Sequence, residues 1–227
     1  MDHSNRDTRS LRLLGFGFAL LFTVATIALF GDLVGAFADA GPSFAYFDTS
    51  SDRLRHAAGA YLLTFSGLLF IAFAVRLTEP LETPIQRSTE VFLARASATA
   101  FASFVGVTAA AFATVSLSVE FGSITGDPGI EQGRDLLPQF GYVVLFIPGA
   151  LCAGGTIVLL ARGAARTGQL PVWVILGGYL VAAAQLFSVL TLPLILVPLW
   201  VLAACVCVRR SHDDAGHSRL QAQGHGS

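Results

Sequence analysis

Charged residues are missing from five long stretches of the chain, and this pattern is the main signal in the sequence. Crossing the hydrocarbon core of a bilayer takes roughly 20 apolar residues in a helix, and each stretch is about that long or longer. The uncharged stretches are residues 13–31, 57–75, 96–119, 136–161 and 167–208. The pattern predicts an all-α protein, a polytopic bundle of transmembrane helices.

The last stretch decides the number of spans. As one helix its 42 residues would be about 63 Å long, twice the hydrocarbon thickness, so the chain must turn back. We expect the turn between residues 189 and 193, with Thr191 as a helix cap and Pro193 in the first turn of the next helix. A re-entrant final segment is the alternative, because this piece is short and contains Pro198. The predicted spans are residues 13–35, 56–75, 91–118, 138–161, 171–190 and 192–208.

Arginine placement orients these spans, because cytoplasmic loops carry the excess of basic residues. All 14 basic residues are arginine, and 11 of them fall on one side of a six-span topology. Both termini are therefore expected in the cytoplasm, with residues 1–12 as an N-terminal segment, 13–210 as the bundle and 211–227 as a disordered tail. A signal peptide cleaved after Ala38 is the alternative for the first helix, but its apolar core is longer than such segments require.

Composition limits the classes of protein. A chain that is 54% hydrophobic and 13% charged is not typical of a soluble enzyme, and a net charge of −1 offers no basic surface for nucleic acid. The use of Arg in place of Lys, with abundant Ala and Gly, favours a bacterial source. We expect a multi-pass protein of the cell membrane whose partners are the bilayer and either another membrane protein or a second copy.

Candidate chemistry is sparse. Ionisable side chains near the bilayer midplane are the usual sign of proton relays or catalysis, and the sequence predicts none there. Asp32, His56 and Glu90 fall at predicted interfaces, and one histidine cannot supply the paired axial ligands of a transmembrane haem. No zinc motif and no activated nucleophile is recognisable. We therefore expect no catalytic, metal-binding or cofactor-binding residue and no cofactor.

Packing signals are clearer. Small residues recur every four positions on the first and third helices, a spacing that allows close helix approach. The packing candidates are Gly15 and Ala19 on the first helix and Ala98, Ala102, Gly106 and Ala110 on the third. A larger residue at Gly106 is expected to overpack such a contact. Pro148 is expected to kink the fourth helix and free a backbone carbonyl, and Gln185 can hydrogen-bond within the bundle.

Three segments carry a resemblance to a known group of proteins. They are the short basic loop and helix start at residues 166–173 (RTGQLPVW), Tyr46-Phe47 followed by Asp52-Arg53-Leu54, and the ending Val208-Arg209-Arg210. Together they resemble an actinobacterial family of six-helix integral membrane proteins. The resemblance implies a six-span helical bundle and carries over no activity, ligand or catalytic residue.

Two functions fit these expectations. A non-enzymatic membrane protein, acting as a partner, regulator or organising subunit, agrees with the small-residue stripes and with the missing catalytic constellation. The alternative is a transporter or permease for a small neutral or lipophilic solute, which would need no membrane charge and could use the break at Pro148 together with Gln185. An enzyme is not expected.

Overall fold

The computed structural model describes residues 3–36, 49–79, 89–120, 128–190 and 192–208. Within these ranges the secondary structure is helical, with no strand, which confirms the predicted all-α class. The helices are α1 (His3–Ala36), α2 (Ser50–Thr78), α3 (Thr89–Glu120), α4 (Pro128–Val144), a π-helical turn (Leu145–Gly149), α5 (Ala150–Thr167), α6 (Val172–Ala184), a 3-10 segment (Gln185–Leu190) and α7 (Leu192–Cys207). The tail expected at residues 211–227 lies outside the described residues.

The apolar helical segments fall into a long group and a short group. By length and composition, four helical segments are long and apolar enough to cross a membrane, which indicates a membrane helix bundle. They are Arg9–Gly31, Ser50–Thr78, Thr89–Ser118 and Leu136–Thr167. Two shorter apolar segments follow, Val172–Ser188 and Pro193–Cys207. The break between these two falls inside the interval where the sequence predicts a turn.

Local sequence explains where several helices begin and end. Thr49 is extended, and its hydroxyl oxygen accepts a hydrogen bond from the Asp52 amide at 3.2 Å, so its side chain caps the start of α2. At the other end, α5 stops at Gly168, whose φ of 66° is a left-handed conformation that a residue without Cβ adopts at low cost. Pro171 then leads into α6.

The helices form a closed ring around phenylalanine side chains. α2 packs on α1 and on α3, α4 and α5 both pack on α3, α6 packs on α5, and α7 packs on α6 and returns to α1. Phe70 of α2 is at the centre, with its ring 4.9 Å from those of Phe18 on α1 and Phe101 on α3. All three rings are fully buried. Aromatic contacts between three helices therefore fill the space that the ring encloses.

Gly15 is where α1 and α7 approach most closely among the described glycines. A Cβ at this position would lie 2.0 Å from Cys205 Sγ and 3.2 Å from a methyl group of Val201. Arg12 adds a polar contact one turn earlier, since its Nε donates to the Cys205 carbonyl at 3.2 Å. Ala19 is buried on the same face of α1. The two packing candidates on the first helix thus lie at the seam that closes the ring.

The candidates on α3 divide between the inside and the outside of the bundle. Ala98 is buried, and Ala102 lies close to Gly67 of α2. Ala110, by contrast, is exposed, and a Cβ on Gly106 would meet no atom within 4 Å in the part of the chain that the structure describes. The expectation that a larger residue at Gly106 overpacks a contact within the chain is therefore wrong. A four-residue spacing places residues on one side of a helix, but this side turns away from the core as α3 proceeds.

The two glycines give a matched test of ring closure. Gly15→Leu should destabilise the protein by about 3 kcal/mol or more, because the added side chain collides with α7 in a packed interior. Gly106→Leu should change the stability of the isolated protein by less than about 0.5 kcal/mol, since the position is open. Thermal unfolding of both variants in the same detergent measures this difference. Equal loss of stability in the two variants would contradict the packing described here.

Candidate functional site

Pro148 interrupts the regular hydrogen bonding between α4 and α5. The residue has no backbone N–H, and the helix widens into a π-helical turn around it. The amide of Ala150, which in an α-helix would donate to Phe146, donates to the carbonyls of Leu145 and Ile147. The Phe146 carbonyl is thereby released from its ordinary partner. The kink expected at Pro148 thus takes the form of a π turn.

A second interruption lies opposite the first. Helix α6 gives way to the 3-10 segment at Gln185, and Phe187 within that segment leaves helical geometry, with φ −106° and ψ 18°. Gly154 of α5 lets this region come close, because a Cβ there would lie 3.3 Å from both the Ala182 carbonyl oxygen and Gln185 Cβ. The π turn and the 3-10 segment are in direct contact. The structure therefore brings the neighbourhoods of Pro148 and Gln185 together.

One hydrogen bond joins the two interruptions. The hydroxyl of Ser188, a buried residue in the 3-10 segment, donates to the Phe146 carbonyl. This is the carbonyl that the π turn releases. The 3-10 segment therefore supplies the donor and the π turn supplies the acceptor. A backbone carbonyl in apolar surroundings thereby gains a hydrogen-bond partner.

The side-chain amide of Gln185 forms hydrogen bonds through its nitrogen. Its Nε2 donates to the Pro193 carbonyl at 2.7 Å and to the Val181 carbonyl at 3.3 Å, so the side chain ties α6 to the start of α7. Reversing the amide would place Oε1 against two carbonyl oxygens, which fixes the orientation. Oε1 is buried and has no partner among the described atoms. An unpartnered acceptor of this kind is available to a hydrogen-bond donor such as a water or a small neutral solute.

Other hydroxyls also bridge helices through backbone carbonyls. Ser97 donates to the Cys152 carbonyl at 2.8 Å, and Thr108 donates to the Gly141 carbonyl at 2.9 Å. Both bonds join α3 to the helix pair on either side of the π turn. These contacts fix the position of the interrupted helix against a continuous one.

His56 is buried, although the sequence places it at a hydrated interface. It is 1% exposed, and its ring lies parallel to that of Phe112 with the centroids 6.1 Å apart. Nδ1 lies 2.7 Å from the Asp52 carbonyl oxygen, and because a carbonyl only accepts, Nδ1 is the donor. Phe30 and Phe146 contact each other within the same aromatic region next to Phe112. The histidine therefore belongs to the packed wall of the bundle.

Charged side chains gather at the opposite end of the bundle. Glu90 on the first turn of α3 pairs with Arg162 at 3.1 Å and with Arg166 at 2.6 Å, both on the last turns of α5. Nearby, Arg95 Nε donates to the Thr78 hydroxyl at 3.0 Å, which connects α3 to the end of α2. These bonds hold the start of α3 between its two neighbours.

Sequence reasoning identified Pro148 and Gln185 but missed Ser188 and the burial of His56. For Ser188, the sequence offered one indication of a structural role: the residue lies three positions after Gln185 and near a predicted helix end. In the described ranges no group of three or more His, Cys, Asp or Glu side chains could hold a metal ion. The arrangement around the two interruptions offers hydrogen bonding and packing to a ligand.

Comparisons of the chain with models of protein families, with curated proteins and with solved structures find no match. The resemblance to actinobacterial six-helix membrane proteins therefore stays a prediction.

The bond between Ser188 and the π turn can be tested with a double-mutant cycle. Ser188→Ala should cost about 1–3 kcal/mol, because it leaves the Phe146 carbonyl buried without its donor. In a Pro148→Ala background the cost should fall by more than half, since the restored amide at position 148 allows regular α-helical pairing. Thermal unfolding in detergent measures both differences. Ser103→Ala is the control, because its hydroxyl is exposed and bonds only to Thr99 of its own helix. Additive losses in the cycle would rule out the proposed pairing of the two breaks.

Proposed function

We propose that the chain is a six-span protein of the bacterial plasma membrane with both termini in the cytoplasm. The distribution of arginines supports this topology. The paired short helices support it as well, because α6 packs on α5 and α7 packs on α1, so each lies along a longer helix. Trp200, in the second half of α7, donates its N–H to the Val174 carbonyl in the first turn of α6 at 3.0 Å. This contact favours a last helix that runs back along α6 over a re-entrant segment.

Reporter fusions test the topology. Fusions after residues 40 and 130 should report from outside the cell, and fusions after residues 85, 165 and 215 should report from the cytoplasm. A paired periplasmic and cytoplasmic reporter at each position provides the internal control. A cytoplasmic signal after residue 130 would overturn the six-span arrangement.

Within this topology we infer a non-enzymatic function, in which the protein binds another transmembrane helix through one surface of α3. The α3 outer face consists of residues that point away from the bundle. Its small and hydroxyl-bearing residues are Ala96, Thr99, Ser103, Gly106, Ala110 and Thr114, and the exposed Val107 lies among them. Small side chains at this spacing let the backbones of two helices come close, which is the main source of attraction between helices in lipid. The observation that carries the inference is the open space at Gly106.

The α3 outer face differs from the other outward surfaces. Large apolar side chains cover the exposed sides of α1, α6 and α7, as expected for contact with lipid. Examples are Leu13, Leu20 and Ile27 on α1, Leu176 and Leu180 on α6, and Ile195 and Leu199 on α7. Lipid contact alone therefore does not account for the small and hydroxyl-bearing residues on α3.

Hydroxyl groups on the α3 outer face do not oppose association. Thr99 donates to the Arg95 carbonyl at 2.9 Å, Ser103 to Thr99 at 3.0 Å, and Thr114 to Ala110 at 2.8 Å. Because each hydroxyl is already bonded within its own helix, covering it with a partner leaves no polar group unsatisfied. The same hydroxyls can also bond across to a partner helix.

Gly106→Leu separates association from stability. The variant should keep the fold and lose the partner, because its side chain fills the space into which a second helix would pack. Gly177→Leu is the matched control: Gly177 on α6 is equally open, with no atom within 4 Å of an added Cβ, but lies on a face of large apolar residues. Chemical crosslinking in native membranes, followed by co-purification and mass spectrometry, should show a stoichiometric protein or a second copy with the wild type and with Gly177→Leu. We expect at least a tenfold loss with Gly106→Leu.

Co-purification also distinguishes helix binding from the alternative function, a permease. Equal recovery of the partner with Gly106→Leu and wild type would exclude the α3 outer face as the binding surface. A solitary protein that retains a small neutral molecule would favour the permease, for which the unpartnered Gln185 Oε1 is the specific observation. That molecule should then be lost from Gln185→Leu.

A further inference from the structure

Glu90 forms an unbalanced group of charges with two arginines. Its Oε1 is 3.1 Å from Arg162 Nε, and its Oε2 is 2.6 Å from Arg166 Nη1, so each carboxylate oxygen contacts one guanidinium. The two arginines thus share the carboxylate between them. Among the described residues, one carboxylate therefore faces two guanidinium groups, each of which has five N–H donors.

The two arginines remain accessible while Glu90 is more enclosed. Both arginine side chains are 57% exposed, against 25% for Glu90. The positions of Arg162 and Arg166 differ by four residues, so they lie on one side of α5, one turn apart. The carboxylate contacts both guanidiniums and orients them side by side, with their remaining donors available to a larger anion.

Exposed aromatic side chains lie near the same end of the bundle. Phe92, two residues after Glu90 and on another side of α3, is 70% exposed, and Trp173, near the start of α6, is 61% exposed. Exposed aromatic residues at the ends of membrane helices are typical of the lipid headgroup region. These aromatic residues indicate that the two arginines lie close to the level of the lipid headgroups, where a phospholipid presents its phosphate.

We propose that Arg162 and Arg166 bind the phosphate of an anionic phospholipid in the leaflet at the arginine-rich end of the bundle. The planar guanidinium groups suit phosphate oxygens, and basic sites between membrane helices bind lipid headgroups in this way. Glu90 contacts both arginines in the lipid-free protein and competes with the phosphate for their N–H donors. The proposal requires a membrane-embedded protein and is independent of a partner on α3.

Phosphatidylglycerol is the probe, and phosphatidylcholine with the same acyl chains is the neutral control. Native mass spectrometry of the purified full-length protein should show selective retention of phosphatidylglycerol, and its addition should raise the unfolding temperature more than phosphatidylcholine does. Replacing both arginines (R162Q with R166Q) should reduce the affinity for phosphatidylglycerol about tenfold or more. Arg55→Gln, a substitution in an exposed ion pair at the opposite end, should leave that affinity unchanged.

Glu90→Gln distinguishes lipid binding from an ordinary ion pair. If the arginines bind phosphate, this variant keeps or increases the affinity for phosphatidylglycerol, because the competing carboxylate is gone. Loss of selective lipid retention in Glu90→Gln, or unchanged retention in Arg162→Gln alone and in the double variant, would overturn the proposal. Inorganic phosphate is the further probe: stabilisation equal to that by phosphatidylglycerol would identify a site for free phosphate and overturn the lipid assignment.

Discussion

Backbone groups in apolar surroundings must find hydrogen-bond partners within the protein, and this constraint explains where the irregular segments of the bundle lie. In a continuous helix the backbone N–H and C=O groups pair with each other, so the long helices need no hydrogen-bond partners from other segments. Pro148 removes one donor, and the resulting π turn releases the Phe146 carbonyl. The Ser188 hydroxyl, on the other interrupted segment, donates a hydrogen bond to this carbonyl. The two breaks face each other because each is costly alone, and their contact places Gln185 in the interior.

Close packing is the second requirement, and it depends on where small residues coincide with a neighbour. Gly15 brings α1 against Cys205 of α7, and Gly178 brings α6 against the Trp200 side chain, where a Cβ would lie 2.7 Å from its Nε1. Both contacts involve α7, the last helix of the ring. Since lipid tails are as apolar as the side chains, such close approach has to supply the attraction that the hydrophobic effect provides in water. The ring closes through these contacts.

Much of the fold follows from local patterns. Uncharged stretches predict the long helices, and Pro148 predicts a break. The contacts between helices cannot be predicted from such local patterns. Gly15 and Gly106 have the same small-residue spacing in the sequence, yet one touches another helix and the other faces outwards, because spacing defines a side of a helix and not what lies beside it. His56 is similar: its position near a helix start suggested hydration, and the ring of Phe112 from a distant segment covers it.

The start of α3 connects the two proposed surfaces. Glu90 attaches this helix to α5 through two arginines, and Arg95 attaches it to α2 through the Thr78 hydroxyl, which itself donates to the Ala74 carbonyl at 2.9 Å. With both sides fixed, α3 cannot rotate about its axis without breaking charged contacts. Its outer face is therefore presented in one orientation, and the partner helix that we propose would meet a preorganised surface. A rigid surface loses less conformational entropy on binding, which matters where small residues supply only short-range attraction.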